Sequence, residues 1–134
     1  MNKYSLSEIS SFIDGDLFGN DKDVSKFSID SRTINQGDAF ICIKGMRYDG
    51  HDFIKDSLKK ASCIISSKKI IDIDLKNKSY ILVKDTEKAL HKISEFIRLK
   101  SNAKFIAITG SNGKTTVKEM LAYVLSDYKI TYTQ

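Results

Sequence analysis

Apolar residues recur along this chain in two different periods, and the switches between them lay out the elements. Leu6, Ile9, Phe12 and Ile13 fall on one helical face, opened by Ser5 with Glu8 at capping-box spacing and ended by Gly15. Residues 21–26 are a polar connection. Phe27-Ser28-Ile29-Asp30 alternates as a half-buried strand does, and the turn Asn35-Gln36-Gly37-Asp38 delivers a second strand, Ala39-Phe40-Ile41-Cys42-Ile43. After Lys44-Gly45 and a loop over 46–51, a helix from Asp52 turns Phe53, Ile54, Leu58 and Ala61 toward a core. Cys63-Ile64-Ile65 reads as a buried strand. Ile70-Ile71-Asp72-Ile73 and Tyr80-Ile81-Leu82-Val83 follow, separated by a polar hinge over 74–79.

Asp85-Thr86 then caps a long amphipathic helix with Ala89, Leu90, Ile93, Phe96 and Ile97 on one face, broken at Ser101-Asn102-Ala103. The apolar run Phe105-Ile106-Ala107-Ile108 reads as a strand. It leads through a glycine-containing loop into a helix with Val117, Met120, Leu121, Val124 and Leu125 at helical spacing, and Lys129 to Thr133 reads as the next parallel strand. The expected class is α/β: a small amino-terminal α/β domain over residues 1–84, then, over 85–134, a linker helix and the first strand–P-loop–helix–strand of a parallel-sheet P-loop ATPase domain. Such a sheet ordinarily has several more parallel strands. The ATPase part is therefore expected to be incomplete.

The loop itself, Thr109-Gly110-Ser111-Asn112-Gly113-Lys114-Thr115-Thr116, carries the chemistry. Gly110 and Gly113 can take positive φ and let backbone N–H groups approach an anion, beside the free N–H groups of the helix that follows. Lys114 adds a full charge able to reach a nucleotide's outer phosphates, Thr115 stands where such loops ligate Mg²⁺, and Thr116 offers another hydroxyl. The general pattern G-x-x-x-x-G-K-[ST] would need glycine at 108, where the chain has Ile108, so only G-x-x-G-K-T-T is met. The plain alternative is a glycine turn before a lysine-started helix.

Composition narrows the partners. The 134 residues are 41% hydrophobic and 29% charged, which suits a folded protein rather than a disordered one. The 22 basic and 17 acidic residues give a formal charge of +5, with arginine only at Arg32, Arg47 and Arg98. Lysines are interleaved with acids and not clustered with aromatics, so no nucleic-acid partner is expected. No run approaches the ~18 apolar residues that cross a bilayer. The first residues lack a signal-peptide core, and a cytoplasmic location is expected. Cys42 and Cys63 lie in apolar runs without metal-ligand spacing and read as buried small hydrophobes.

The loop with its preceding threonine, T-G-S-N-G-K-T-T-V-K-E-M, resembles the ATP loop of the Mur ligases, ATP-dependent amide ligases that build the peptidoglycan stem peptide. Ser28-Ile29-Asp30-Ser31-Arg32, Gly37-Asp38-Ala39-Phe40, Lys44-Gly45, Asp49-Gly50-His51-Asp52-Phe53-Ile54, Val83-Lys84-Asp85-Thr86 and Ala89-Leu90 occur in the order and approximate spacing of that family's first domain. The resemblance covers the whole chain. It implies that Ser31, Arg32, Lys44, Gly45, Asp49, Gly50 and His51 lie near the UDP-muramoyl end of the substrate. It also implies that Gly110, Ser111, Asn112, Gly113, Lys114, Thr115 and Thr116 hold ATP, with Thr115 on Mg²⁺ and Lys114 as the catalytic cation.

The implied partners are a UDP-N-acetylmuramoyl-peptide and D-alanyl-D-alanine. The implied reaction converts the substrate carboxylate to an acyl phosphate that the incoming amine attacks. Acidic and histidine metal ligands, a modified lysine and an amine-binding domain follow the loop in that family, and none lies within the 134 residues. The chain is therefore expected to be inactive alone, with a complementary polypeptide able to finish the sheet. Two other readings stand beside it: a Mur-type ligase of the preceding stem-peptide step, and a non-catalytic UDP-sugar-binding or docking module. The residues have quieter roles open to them as well, with Asp30 and Ser31 closing a turn, Arg32 and Lys44 as solvated strand ends, and His51 capping the next helix.

Overall fold

In strand β5 (Ala39–Ile41) every side chain is buried, and its residues alternate between two cores. That alternation recurs in β6 (Cys63–Ser66) and β7 (Ser79–Leu82), because successive side chains of a strand point to opposite faces. Ala39, Ile41, Cys63, Ile65, Ile81 and Val83 belong to one cluster; Phe40, Cys42, Ile64 and Tyr80 belong to the other. The computed structural model, which describes residues 3–128, thus shows a sheet covered on both faces.

The sheet has five strands in the order β2 (Asp16–Phe18), β7, β6, β5, β4 (Phe27–Ser28). β4, β5, β6 and β7 run parallel, and β2 pairs antiparallel with β7, matching Leu17 to Ile81. A separate antiparallel pair joins β1 (Tyr4–Ser5) to β3 (Asp23–Val24). Helices α1 (Leu6–Phe12) and α3 (Thr86–Lys100) supply Leu6, Ile9, Ala89, Ile93 and Phe96 to the first cluster. The second face is covered by the crossovers: Ile34 between β4 and β5, Ile54, Leu58 and Ala61 around the short α2 (Ile54–Ser57), and Ile70 and Ile73 before β7.

Both expected caps form. Ser5 accepts the Glu8 N–H at 3.2 Å and Asp85 accepts the Lys88 N–H at 3.0 Å, each meeting one of the donors a helix start leaves free. The Glu8 carboxylate takes the Lys100 ammonium of α3. The first helix stops at Phe12 and the left-handed residue is Asp14 (φ 55°), ahead of Gly15. Phe53, expected in the core, is 36% exposed, because a 3₁₀ turn over Gly50–Phe53 precedes α2 and rotates it outward. Ile71 is exposed, and residues 70–73 pack as coil.

The chain divides into two compact units, Met1–Ser101 and Asn102–Gln134, and α3 packs within the first. The reason is physical: Ala89, Ile93 and Phe96 are 1–3% exposed, and Phe96 meets Tyr4 edge-on with ring centroids 5.6 Å apart. In the second unit α4 (Lys114–Val124) forms as expected. Residues 105–108 carry no ladder pairing, and Phe105 and Ile106 are more than 60% exposed. A strand exists only beside a hydrogen-bonded neighbour, and none flanks this run among the described residues. The strand expected from Lys129 to Thr133 lies outside the described residues.

Candidate functional site

Three segments leave the carboxyl ends of adjacent parallel strands: 29–32 after β4, 42–53 after β5 and 67–68 after β6. The crevice outside such strand ends is where open α/β sheets take ligands. Here the first two segments wall a cleft of about 800 Å³. Of the residues expected at a substrate, Ser31, Arg32, Gly45 and Gly50 line it, and Lys44, Asp49 and His51 do not.

Arg32 reaches into solvent while Asp30 clasps one edge of its guanidinium. Its Nε donates to Asp30 Oδ1 at 2.9 Å, its Nη2 to Oδ2 at 2.7 Å, and its backbone N–H to Oδ1 at 3.0 Å. These donors, the guanidinium first, bring the Asp30 carboxyl down to about 2. Gly50 is held by packing: a Cβ there would lie 2.7 Å from the Ile43 nitrogen and 2.9 Å from its oxygen, so the loop closes onto β5 only with glycine. The Lys44 and Asp49 backbones pair antiparallel across that loop, and the Gly45 N–H donates to the Tyr48 oxygen at 2.8 Å.

His51 is held between its own loop and the segment after β6. Its side chain is 6% exposed. The Ser67 N–H donates to Nε2 at 3.2 Å, so Nε2 is an acceptor and Nδ1, 2.5 Å from Asp49 Oδ1, carries the proton. Asp49 Oδ1 also accepts the His51 N–H at 3.0 Å and Oδ2 the Lys68 ammonium at 2.9 Å. The His51 amide, then Lys68, then the ring hold the Asp49 carboxyl well below the usual carboxylate range.

The cleft also contains residues that sequence reasoning missed. Arg47, Met46 and Tyr48 line it, with Tyr48 edge-on to Phe53 at 6.5 Å between centroids. A cation and an aromatic standing between Gly45 and Gly50 were the available signal. Ser67 and Lys68 carried none, being two residues in a serine–lysine run.

In the second unit, Gly110 (φ 143°) and Gly113 (φ 76°) both adopt positive φ. Gly113 is the residue before α4, and its oxygen accepts the Val117 N–H at 2.9 Å. A Cβ at Gly113 would find nothing within 4 Å, so conformation and not crowding selects glycine there. Lys114 curls back over the loop, its Nζ donating to the Gly110 oxygen at 2.6 Å. Residues 114–116 make up the first turn of α4, where N–H groups lack intrahelical partners. Ser111, Asn112, Thr115 and Thr116 are all exposed. A left-handed glycine hook, open helix amides and an ammonium across the mouth fit a phosphate group. Among the described residues no three His, Cys, Asp or Glu side chains converge as a metal cluster.

Residues 23–98 match the model of the Mur ligase family, catalytic domain. The chain is 40% identical over 125 residues to the UDP-N-acetylmuramoyl-tripeptide--D-alanyl-D-alanine ligase of Buchnera aphidicola, covering 93% of this chain and 27% of that protein. Over 107 residues it is 38% identical to the UDP-N-acetylmuramoyl-L-alanyl-D-glutamate--2,6-diaminopimelate ligase of Clostridioides difficile, covering 78% of this chain and 22% of the relative. Among solved structures, MurF from Acinetobacter baumannii overlays 95% of this chain and 28% of its own, with a TM-score of 0.82 and 30% identity. MurF ligase from Thermotoga maritima, in complex with ADP, overlays 78% of this chain and 24% of its own at 0.67 and 33%. The chain belongs to the Mur ligase family, and it spans about a quarter of the length of the relatives it matches.

Proposed function

We propose that this chain is the amino-terminal part of an ATP-dependent amide ligase that adds D-alanyl-D-alanine to UDP-N-acetylmuramoyl-tripeptide. The first unit is its substrate domain and the second opens its ATPase domain. The cleft beyond β4 and β5 takes the UDP-muramoyl end, with Ser31, Arg32 and Gly45 from the expected set and Arg47 beside them as the cation with which to meet a diphosphate. Gly110 to Thr116 cradle the phosphates of ATP. Lys114 meets the charge on the transferring phosphoryl group, and Thr115 is the hydroxyl for Mg²⁺. ATP supplies the phosphoryl group that activates the substrate carboxylate for attack by the dipeptide's amine. Lys44, Asp49 and His51 serve by shaping the loop.

The observation carrying this reading is the glycine hook with Lys114 folded across it, in a chain that overlays MurF along nearly its whole length. Its test is calorimetric titration of the 134-residue chain with UDP-N-acetylmuramoyl-tripeptide and with ATP. Saturable binding of the tripeptide, weakened about tenfold or more by Arg47→Ala as the loss of a charge-assisted contact would, is the expected result. A chain that takes up neither ligand would be a docking module. The 38% identity to a diaminopimelate ligase favours a second reading, the preceding stem-peptide step. Tighter binding of the UDP-N-acetylmuramoyl-dipeptide than of the tripeptide would select it.

A further inference from the structure

Asp49, His51 and Ser67 are strung together as a hydrolytic triad is: carboxylate to Nδ1 at 2.5 Å, Nε2 to hydroxyl at 3.1 Å. The Ser67 backbone N–H disqualifies that use, because it already donates to the one lone pair on Nε2 that would have to take the hydroxyl proton. What the arrangement does is tie two loops together. His51 belongs to the 3₁₀ turn Gly50–Phe53, whose Gly50 and Phe53 wall the cleft, and Ser67 follows the end of β6.

We propose that His51 is a positioning residue, a proton-sensitive latch that fastens the cleft wall to the β6 exit loop while its Nε2 is unprotonated and releases it on protonation. With a proton on Nε2 the ring presents N–H to the Ser67 N–H, donor against donor. The Ser67 hydroxyl can turn to accept, but its backbone loses its partner. The charged and titratable groups around the ring set the rest. Asp49 just ahead of that turn stays bonded to Nδ1, so the ring stays with its own turn as the turn parts from the exit loop. Lys68 on the exit loop holds Asp49 Oδ2, with Asp52 near enough to act on that ammonium. The Cys42 thiol at the end of β5, pushed up to about 12 by burial, stays uncharged. Lys68 is thus a second tie that survives, and release loosens the wall without unfolding the sheet.

The test is long-range ¹⁵N–¹H spectroscopy of the whole chain across a pH titration. Above the ring's titration, Nε2 should read as an unprotonated acceptor with a scalar coupling through the hydrogen bond to the Ser67 amide nitrogen. Protonation should abolish that coupling and shift the Gly50, Asp52 and Phe53 amides along the same curve. His51→Phe should remove the pH-dependent shift of those amides, and Ser67→Ala, which keeps the N–H, should behave as the parent does. A proton on Nε2 at neutral pH, or amides over 50–53 that stay still while His51 titrates, overturns the latch. The parent titration decides this even if His51→Phe does not fold.

A final arm rests on the cleft reading: affinity for the UDP-sugar, whose diphosphate diester does not itself titrate there, should fall about fivefold or more over the same curve. No UDP-sugar binding at any pH would sink the cleft reading and leave the amide titration to judge the latch. Constant affinity across a titration that moves the amides would show that the wall does not respond, against the proposal.

Discussion

Asp30 and Asp49 use their carboxylates in the same way: each accepts the backbone N–H two residues ahead, from Arg32 and from His51, both at 3.0 Å. Each then adds a side-chain cation, Arg32 for the one and Lys68 for the other. Both groups are held below their ordinary range, so the unfolded chain binds protons that the folded chain refuses. The stability they contribute is complete above the unfolded value of about 4 and is lost as pH falls from there toward about 2 and below. Urea midpoints followed by circular dichroism should therefore drop between pH 5 and pH 3, and Asp49→Asn should flatten the drop; an unchanged slope in that variant would refute it. The i to i+2 spacing was legible in the sequence. Which of the two turns faces a cleft was not, because that depends on the strand each one follows.

At the scale of elements, α3 was readable nearly to the residue, since its five apolar positions and its Asp85 cap agree on one face. Phe96, at the centre of an aromatic group with Tyr4 and Phe12, makes the dependence measurable. Phe96→Ala should cost about 3–5 kcal/mol of first-unit stability, as buried aromatic truncations do. Asp85→Ala should cost about 1 kcal/mol. Denaturant midpoints check both, and equal losses would mean that α3 is held by its cap rather than by its apolar face. β2 escaped prediction because three residues are too few to establish a period; pairing with β7 makes it a strand. The run 105–108 failed the other way: its composition favours a strand, but pairing requires a neighbour that the described residues do not supply.

For the molecule as a whole, the amino-terminal α/β sheet and the positive-φ glycines before α4 were legible because each rests on local spacing. The cleft was half legible. Four of the seven expected residues line it. Of the others, the buried His51 ring bonds Asp49 and Ser67, Asp49 takes the His51 amide and the Lys68 ammonium, and Lys44 stays exposed with its backbone paired to that of Asp49. Arg47, Tyr48 and Phe53 came together only through the fold.

One feature of the sheet can be put to use. Cys63 lies in the core beneath α1 and α3, and Cys42 in the core beneath α2, with the β-sheet between them. Burial pushes both thiols up, so neither reacts until its own side opens. Pulse alkylation with mass readout should therefore clock the two halves separately: Phe96→Ala should quicken labelling at Cys63 more than at Cys42, and Leu58→Ala the reverse. Equal acceleration at both would mean that the layers open only in concert. The chain carries a built-in pair of stopwatches, one on each side of its own partition.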